Sequence, residues 1–175
     1  IEGEKTRLFE QKFAGLAQCQ HAIAMSNATV GLYVCLKALG VGEGDQVIVP
    51  DLTFIATANS VIWAGAKPVI ADIDEKTFNI DPASVEDKIN ERTRAIIPVH
   101  IYGQSADMES IKVIAKRHDL FVIEDSAQGV GVKFLGRHVG SWGDAGCFSF
   151  YGNKTITTGQ GGMVTTNNGE ISRSC

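Results

Sequence analysis

Cysteine is scarce: four residues in 175, Cys19, Cys35, Cys147 and Cys175, with neither CxxC pairs nor any regular spacing. Three of them sit in apolar surroundings and read as buried thiols of a reducing, cytoplasmic compartment. Long apolar runs are missing as well. Nothing approaches the roughly 18 residues of a membrane span, and the first ten residues, IEGEKTRLFE, are too polar for a signal peptide. There is no excess of basic charge, since 16 Lys and Arg stand against 20 Asp and Glu, for a formal net charge of −4. The longest basic cluster, Lys116-Arg117-His118, falls at the end of an expected helix, where cations suit the dipole. Nucleic acid and membrane surfaces are therefore set aside as partners. Without repeats, low-complexity tracts or linkers, residues 1–175 read as one domain. A chain of this length buries roughly 70% of its unfolded surface.

What is present is an alternation. Seven short β-rich runs, HAIAM (21–25), QVIVP (46–50), PVIADI (68–73), RAIIPVHIY (94–102), LFVIED (120–125), GCFSFY (146–151) and GGMVTT (161–166), are separated by helical patterns. Leu32, Cys35, Leu36 and Leu39 follow the i, i+3, i+4, i+7 rule, and Ile111, Ile114 and Ala115 repeat it over a shorter stretch. Asp81-Pro82 places an N-cap and a first-turn proline ahead of ASVEDKINE, and Gly40 supplies a C-terminal stop after Ala38-Leu39. This predicts an α/β fold, a mostly parallel seven-stranded sheet with helices on both faces. In such sheets chemistry sits outside the carboxyl ends of the strands. Five clusters should therefore converge on one rim: Ser26 to Thr29, Asp51 to Phe54, His100 to Tyr102, Asp125 to Gln128, and Ser149 to Lys154.

Nucleotide motifs fail on this chain. Gly40-x-Gly42-x-Gly44 follows a helix instead of opening one, which removes the dinucleotide fingerprint. Gly146, Gly152, Lys154 and Thr155 have the wrong spacing for a P-loop, and the intervening CFSFY is strand-like.

The rim clusters carry different chemistry. SNAT stands between a strand and a helix, so its N–H groups and the Thr29 hydroxyl suit a phosphate; taken alone it reads first as an ordinary N-cap with no ligand. Asp125 closes the most apolar strand and should be partly buried, which demands a cationic partner or several donors. It is either a structural cap or ion pair, or a carboxylate that holds a protonated ring nitrogen. Gln128 offers an amide three residues on, and Phe54 is either core or a stacking plate for a flat cofactor. Lys154 is alone in SFYGNKTITTGQGGM, residues 149–163, as the single cationic side chain among small, hydroxylated and aromatic neighbours. A free lysine titrates near ~10.4, so a nucleophilic one needs a desolvated or electropositive pocket. A solvated loop lysine is the plain alternative. Lys154 shares its loop with Ser149, a strand-end phosphate contact, and faces Asp125 from the adjoining strand, the combination that pyridoxal phosphate requires.

The motifs SNATVGL, GDQVIVPDLTFIATANSVIWAGAKPVIADID, AIIPVHIYGQSADM, VIEDSAQGVG and GRHVGSWGDAGCFSFYGNKTITTGQGGMV follow one another in an order and spacing similar to the DegT/DnrJ/StrS family of pyridoxal-phosphate sugar aminotransferases. The resemblance implies the large domain of the aspartate aminotransferase type of fold, with GGMVTT as its antiparallel strand. It makes Lys154 the Schiff-base lysine and Asp125 the partner of the pyridine nitrogen. Gln128 contacts the ring hydroxyl, Phe54 stacks on the ring, and Ala28, Thr29 and Ser149 hold the phosphate. The wording YGNKTITTG looks most like perosamine-synthase-type members, which aminate a nucleotide-linked 4-keto-6-deoxy sugar. A related dehydratase branch has His in place of the lysine, so Lys154 points to the transaminase branch. The implied partners are a nucleotide sugar, glutamate as amino donor, and a second copy in a homodimer or higher assembly. Gln160 departs from the family, which often has Glu there. The chain is also about half the family length, starts without Met and stops at Arg173-Ser174-Cys175, with no helix expected after its last apolar segment. Both ends are thus expected to be cut and the C-terminal small domain absent. A non-catalytic remnant that folds and binds the cofactor without turnover is the competing expectation.

Overall fold

The computed structural model describes residues 3–175. The chain runs α1 (Glu4–Ala17), β1 (His21–Met25), α2 (Ala28–Ala38), β2 (Gln46–Pro50), α3 (Ala56–Ala64), β3 (Lys67–Ala71), α4 (Pro82–Lys88), β4 (Thr93–Ile96), α5 (Met108–Arg117), β5 (Phe121–Asp125), a small hairpin of β6 (Lys133–Phe134) and β7 (Arg137–His138), β8 (Ala145–Ser149), β9 (Gly162–Thr166) and α6 (Gly169–Ser174). All seven expected strands lie in one sheet of order β1-β9-β8-β5-β4-β2-β3. Neighbours from β3 through β8 are parallel, whereas β9 runs antiparallel to both β8 and β1.

Period-2 alternation along the strands divides the core into two layers. Val47, Val49, Ile123, Ala145, Cys147 and Val164 pack against Leu32, Cys35 and Leu36 of α2, Val61 and Ala64 of α3, and Ile171 of α6. Ile48, Ile96 and Val122 face the other way, onto Val85 of α4 and Met108, Ile111, Ile114 and Ala115 of α5. Phe148 and Met163 extend that second face to Phe13 and Ala17 of α1. The central strands are buried on both sides, which is why they read as continuous apolar runs. Among the described residues no helix is long and apolar enough to cross a membrane.

Several expectations are corrected. RAIIPVHIY is not one strand: β4 ends at Ile96, because Pro98 has no N–H for the ladder, and only Val99 bridges on to Asp125. His100 to Tyr102 then enter a tight turn in which Tyr102 has φ 54°. A helix does follow GGMVTT. Asn168 caps α6 by accepting from the Glu170 and Ile171 N–H groups, and Ile171 anchors it in the core. Two thiols, Cys35 and Cys147, are fully buried, whereas Cys19 and Cys175 are half-buried; all four are free. The helices α1 and α3 have no counterpart in the sequence reading. The expected caps are in place: Asp81 accepts from Ala83 N–H, and Gly40 adopts φ 75° beyond α2.

Candidate active site

A cavity of about 460 Å³ opens at the carboxyl ends of the parallel strands, and all five rim clusters contribute to its wall. Ala28, Thr29, Phe54, Asp125, Gln128, Ser149 and Lys154 all line it. Leu32, Ala56, Val99 and Gln160 contribute to the same wall from outside the five clusters.

Asp125 ends β5 and is buried, at 6% exposure, deeper than the partial burial expected. Its side chain points to the α2/α3 face. The Thr57 hydroxyl donates to Oδ2 at 2.8 Å, and the Ala127 N–H donates to Oδ1 at 3.1 Å. Thr57 is tied in turn to Thr53 through a 2.7 Å hydroxyl contact. Burial pushes the carboxyl above its ordinary pKa, and the Thr57 hydroxyl, the Ala127 N–H and the Lys154 ammonium oppose that rise. The arrangement is a desolvated carboxylate held by fixed donors with a cation facing it. Thr57 was not picked out from sequence. Its only signal is its place four residues beyond Thr53, and the helix also carries the polar Asn59 and Ser60.

Lys154 lies just beyond β8, where its backbone N–H closes a turn onto Tyr151 C=O at 3.0 Å. Its side chain is half-buried, and among the described residues its amine has neither a hydrogen bond nor an ion pair. Gln128 is oriented by the Tyr102 N–H, which donates to Oε1 at 2.6 Å, so the polar end left to the cavity is its NH₂ donor. Phe54 is 73% exposed, which rules out the core alternative and leaves a flat apolar face at the cavity mouth.

The anion-binding corner is built by close approach. Asn27 caps α2, its Oδ1 accepting the Val30 N–H at 2.9 Å. The N–H groups at Ala28 and Thr29 belong to the first helical turn, which has no intrahelical acceptors for them. Ser149 pairs with Gly162 across β8 and β9. A Cβ at Gly162 would lie 2.5 Å from Asn27 C and 2.8 Å from Ala28 N, so only glycine lets the start of α2 seat against the strand end beside Ser149. Helix dipole, first-turn N–H groups and a serine hydroxyl there suit a phosphate.

The family model for the DegT/DnrJ/EryC1/StrS aminotransferases matches residues 1–175. GDP-perosamine synthase of Caulobacter vibrioides is 53% identical over 163 residues, covering 93% of this chain and 44% of that protein. Among solved structures, an aminotransferase from Psychrobacter cryohalolentis superposes with a TM-score of 0.97 at 47% identity, over 98% of this chain and 44% of that one. NtdA from Bacillus subtilis with bound cofactor PMP superposes with a TM-score of 0.93 at 37% identity, over 100% of this chain and 40% of that one. The chain belongs to the DegT/DnrJ/EryC1/StrS aminotransferase family, whose members depend on pyridoxal phosphate. It spans less than half the length of the relatives it matches.

Proposed function

We propose that residues 1–175 are the cofactor-carrying domain of an aminotransferase that moves an amino group from glutamate to a nucleotide-linked 4-keto-6-deoxy sugar. The observation that carries this reading is the convergence of the Lys154 amine, a buried carboxylate with fixed donors, an exposed aromatic plate and a helix N-terminus on one cavity of about 460 Å³. Those residues fit pyridoxal phosphate at both ends. Ala28, Thr29 and Ser149 would hold its phosphate and Phe54 would cover its ring. Gln128 would donate to the ring oxygen, and Asp125 would keep a proton on the ring nitrogen. When bound, the cofactor supplies an aldehyde that condenses with amines and a protonated ring that withdraws electrons. Lys154 would hold that aldehyde through its amine, and the same amine, when free, would be the base that takes and returns a proton at the reacting carbon. Fixed donors at Asp125 cost no reorganisation when charge develops.

The sugar acceptor is proposed from the resemblance to perosamine-synthase-type sequences and from the Caulobacter relative's name. Assembly into a homodimer or larger is supported by exposed apolar side chains before and along α3, where Phe54, Ile55, Ile62 and Trp63 are 73%, 62%, 55% and 59% exposed.

The test is covalent trapping. With pyridoxal phosphate added and borohydride used to reduce the adduct, peptide mapping should place the label on Lys154, and Lys154→Ala should stay unlabelled. A label scattered over surface lysines refutes the assignment. Incubation with glutamate and GDP-linked or dTDP-linked 4-keto-6-deoxyhexoses, followed by mass spectrometry, separates a competent enzyme from a domain that binds cofactor without turnover.

A further inference from the structure

Next to Asp125 on β5 stands a second carboxylate, Glu124, fully buried on the opposite face of the sheet. Its Oε1 accepts the Trp142 and Gly143 N–H groups, both at 2.7 Å. Its Oε2 accepts the Gly140 N–H at 2.7 Å and lies 3.0 Å from His100 Nε2. Four donors on two oxygens are the acceptor capacity of a carboxylate. The segment that provides three of them is wrapped tightly. A Cβ at Gly143 would come within 2.4 Å of Val122 O, and one at Gly146 within 2.3 Å of Gly140 Cα.

The fourth donor leads back to the cavity. His100 is also fully buried, and its Nδ1 receives the Ala106 N–H at 3.2 Å. A backbone N–H can only donate, so Nδ1 carries the lone pair and the ring proton sits on Nε2, aimed at Glu124. The main chain of His100 donates to Asp125 C=O at 3.0 Å, and Asp125 N–H donates to Pro98 C=O at 2.9 Å. Two residues after His100, Tyr102 N–H grips the Gln128 side chain. Asn79 adds a second clamp on this turn, accepting from Ile101 N–H at 3.3 Å and donating to Ser105 C=O at 3.3 Å.

We propose that Glu124 and His100 form a buried strut, with the imidazole fixed as its Nε2–H tautomer, that sets the turn at residues 100–106 and through it the positions of Asp125 and Gln128 in the cavity. Both are positioning residues: neither lines the cavity. His100 spends both ring nitrogens on the protein itself, so it anchors and does not relay protons. The consequence for cofactor binding rests on the function proposed above, whereas the tautomer and the anchoring of the turn do not.

Two readouts separate these levels. In the ¹⁵N-labelled chain without cofactor at neutral pH, the His100 ring should show a protonated Nε2 and a bare Nδ1, and the Tyr102 amide should exchange slowly. In Glu124→Gln and His100→Leu the Tyr102 amide should exchange about tenfold faster or more, the scale of a lost charge-assisted hydrogen bond, while the β2 amides stay protected. Pyridoxal phosphate, titrated by the visible band of its lysine adduct, should bind about tenfold more weakly to His100→Leu. His100→Gln, which keeps an N–H near the position of Nε2, should recover most of that loss. A proton on Nδ1 in the parent overturns the strut without need of any variant. So does parental cofactor affinity in His100→Leu, because leucine fills the space without the hydrogen bonds. If the parent chain binds no cofactor, the proposed function fails, and the ring shifts and Tyr102 exchange alone decide the strut.

Discussion

Replacing Asp125 by Asn should make the cofactor-free chain more stable and the cofactor less tightly held. The carboxyl is raised above its ordinary pKa of 3.8 because burial disfavours its charged form. A carboxyl raised in the folded state binds more protons folded than unfolded. Stability therefore falls as pH climbs from about 3.9 through the folded value and stays lower above it. Asn has no charge to desolvate. It retains an oxygen for the Ala127 N–H, and the Thr57 hydroxyl can turn to accept from the new NH₂. Each unit by which the carboxyl is raised is worth about 1.4 kcal/mol. A gain of about 1 kcal/mol at pH 7 would lift Tm by about 2 to 4 °C in a domain of this size. In the role proposed for Asp125, loss of the charge that would hold the ring proton should remove about 1.5 to 3 kcal/mol from cofactor binding, roughly ten- to 150-fold in affinity. Thermal unfolding of both proteins without cofactor at pH 4 and pH 7, with a cofactor titration at pH 7, makes the comparison. The stability gain should be present at pH 7 and shrink toward pH 4. A variant less stable than the parent at pH 7, or a gain equal at both pH values, would show that the carboxylate is not held against a desolvation cost.

Phe54→Ala should change stability by less than about 0.5 kcal/mol, since the ring is 73% exposed, yet weaken cofactor binding by about 0.5 to 1.5 kcal/mol; chemical denaturation and the same titration report the two effects. Gly162→Ala should cost about 1 to 3 kcal/mol of unfolding free energy, because its Cβ meets the Asn27 and Ala28 backbone instead of a side chain that can move, and cofactor affinity should fall with it. Asn27→Ala should cost about 1 kcal/mol of stability by urea denaturation through loss of the α2 cap. A cost near zero would mean that the exposed end of α2 is capped by water instead.

The sheet was legible because its strands carry a local signal: apolar runs bounded by turns, with patterned helices between them. The rim followed from the rule that chemistry gathers at the carboxyl ends of parallel strands, which brought seven separated residues to one cavity wall. The failures have equally local causes. At RAIIPVHIY the hydrophobicity continues after the ladder has stopped, because Pro98 ends donation without ending apolarity. The first helix was invisible because α1 buries only Phe13, Ala14 and Ala17, while Leu8 and Leu16 stand exposed among charged residues and blur its apolar face. Likewise α6 spans six residues, too short for a period, and only Asn168 two residues after Thr166 marked its cap.

Glu124 and Asp125 show where such reading stops. They are adjacent acids at the end of the same apolar strand, and composition treats them alike. Period-2 geometry sends them to opposite faces, and the partners waiting there decide their chemistry. Asp125 meets two donors, Thr57 from α3 and Ala127 two residues on, and the wall that carries Lys154. Glu124 meets three N–H groups from residues 140–143 and the ring of His100, a set assembled from chain segments sixteen or more residues away. A carboxylate whose acceptor capacity is filled by the protein has little left for a ligand, whereas one held by two donors retains lone pairs directed at the cavity. The division of labour between the two acids is therefore set by tertiary contacts, and a mutation in residues 140–143 can disturb the cavity without touching it.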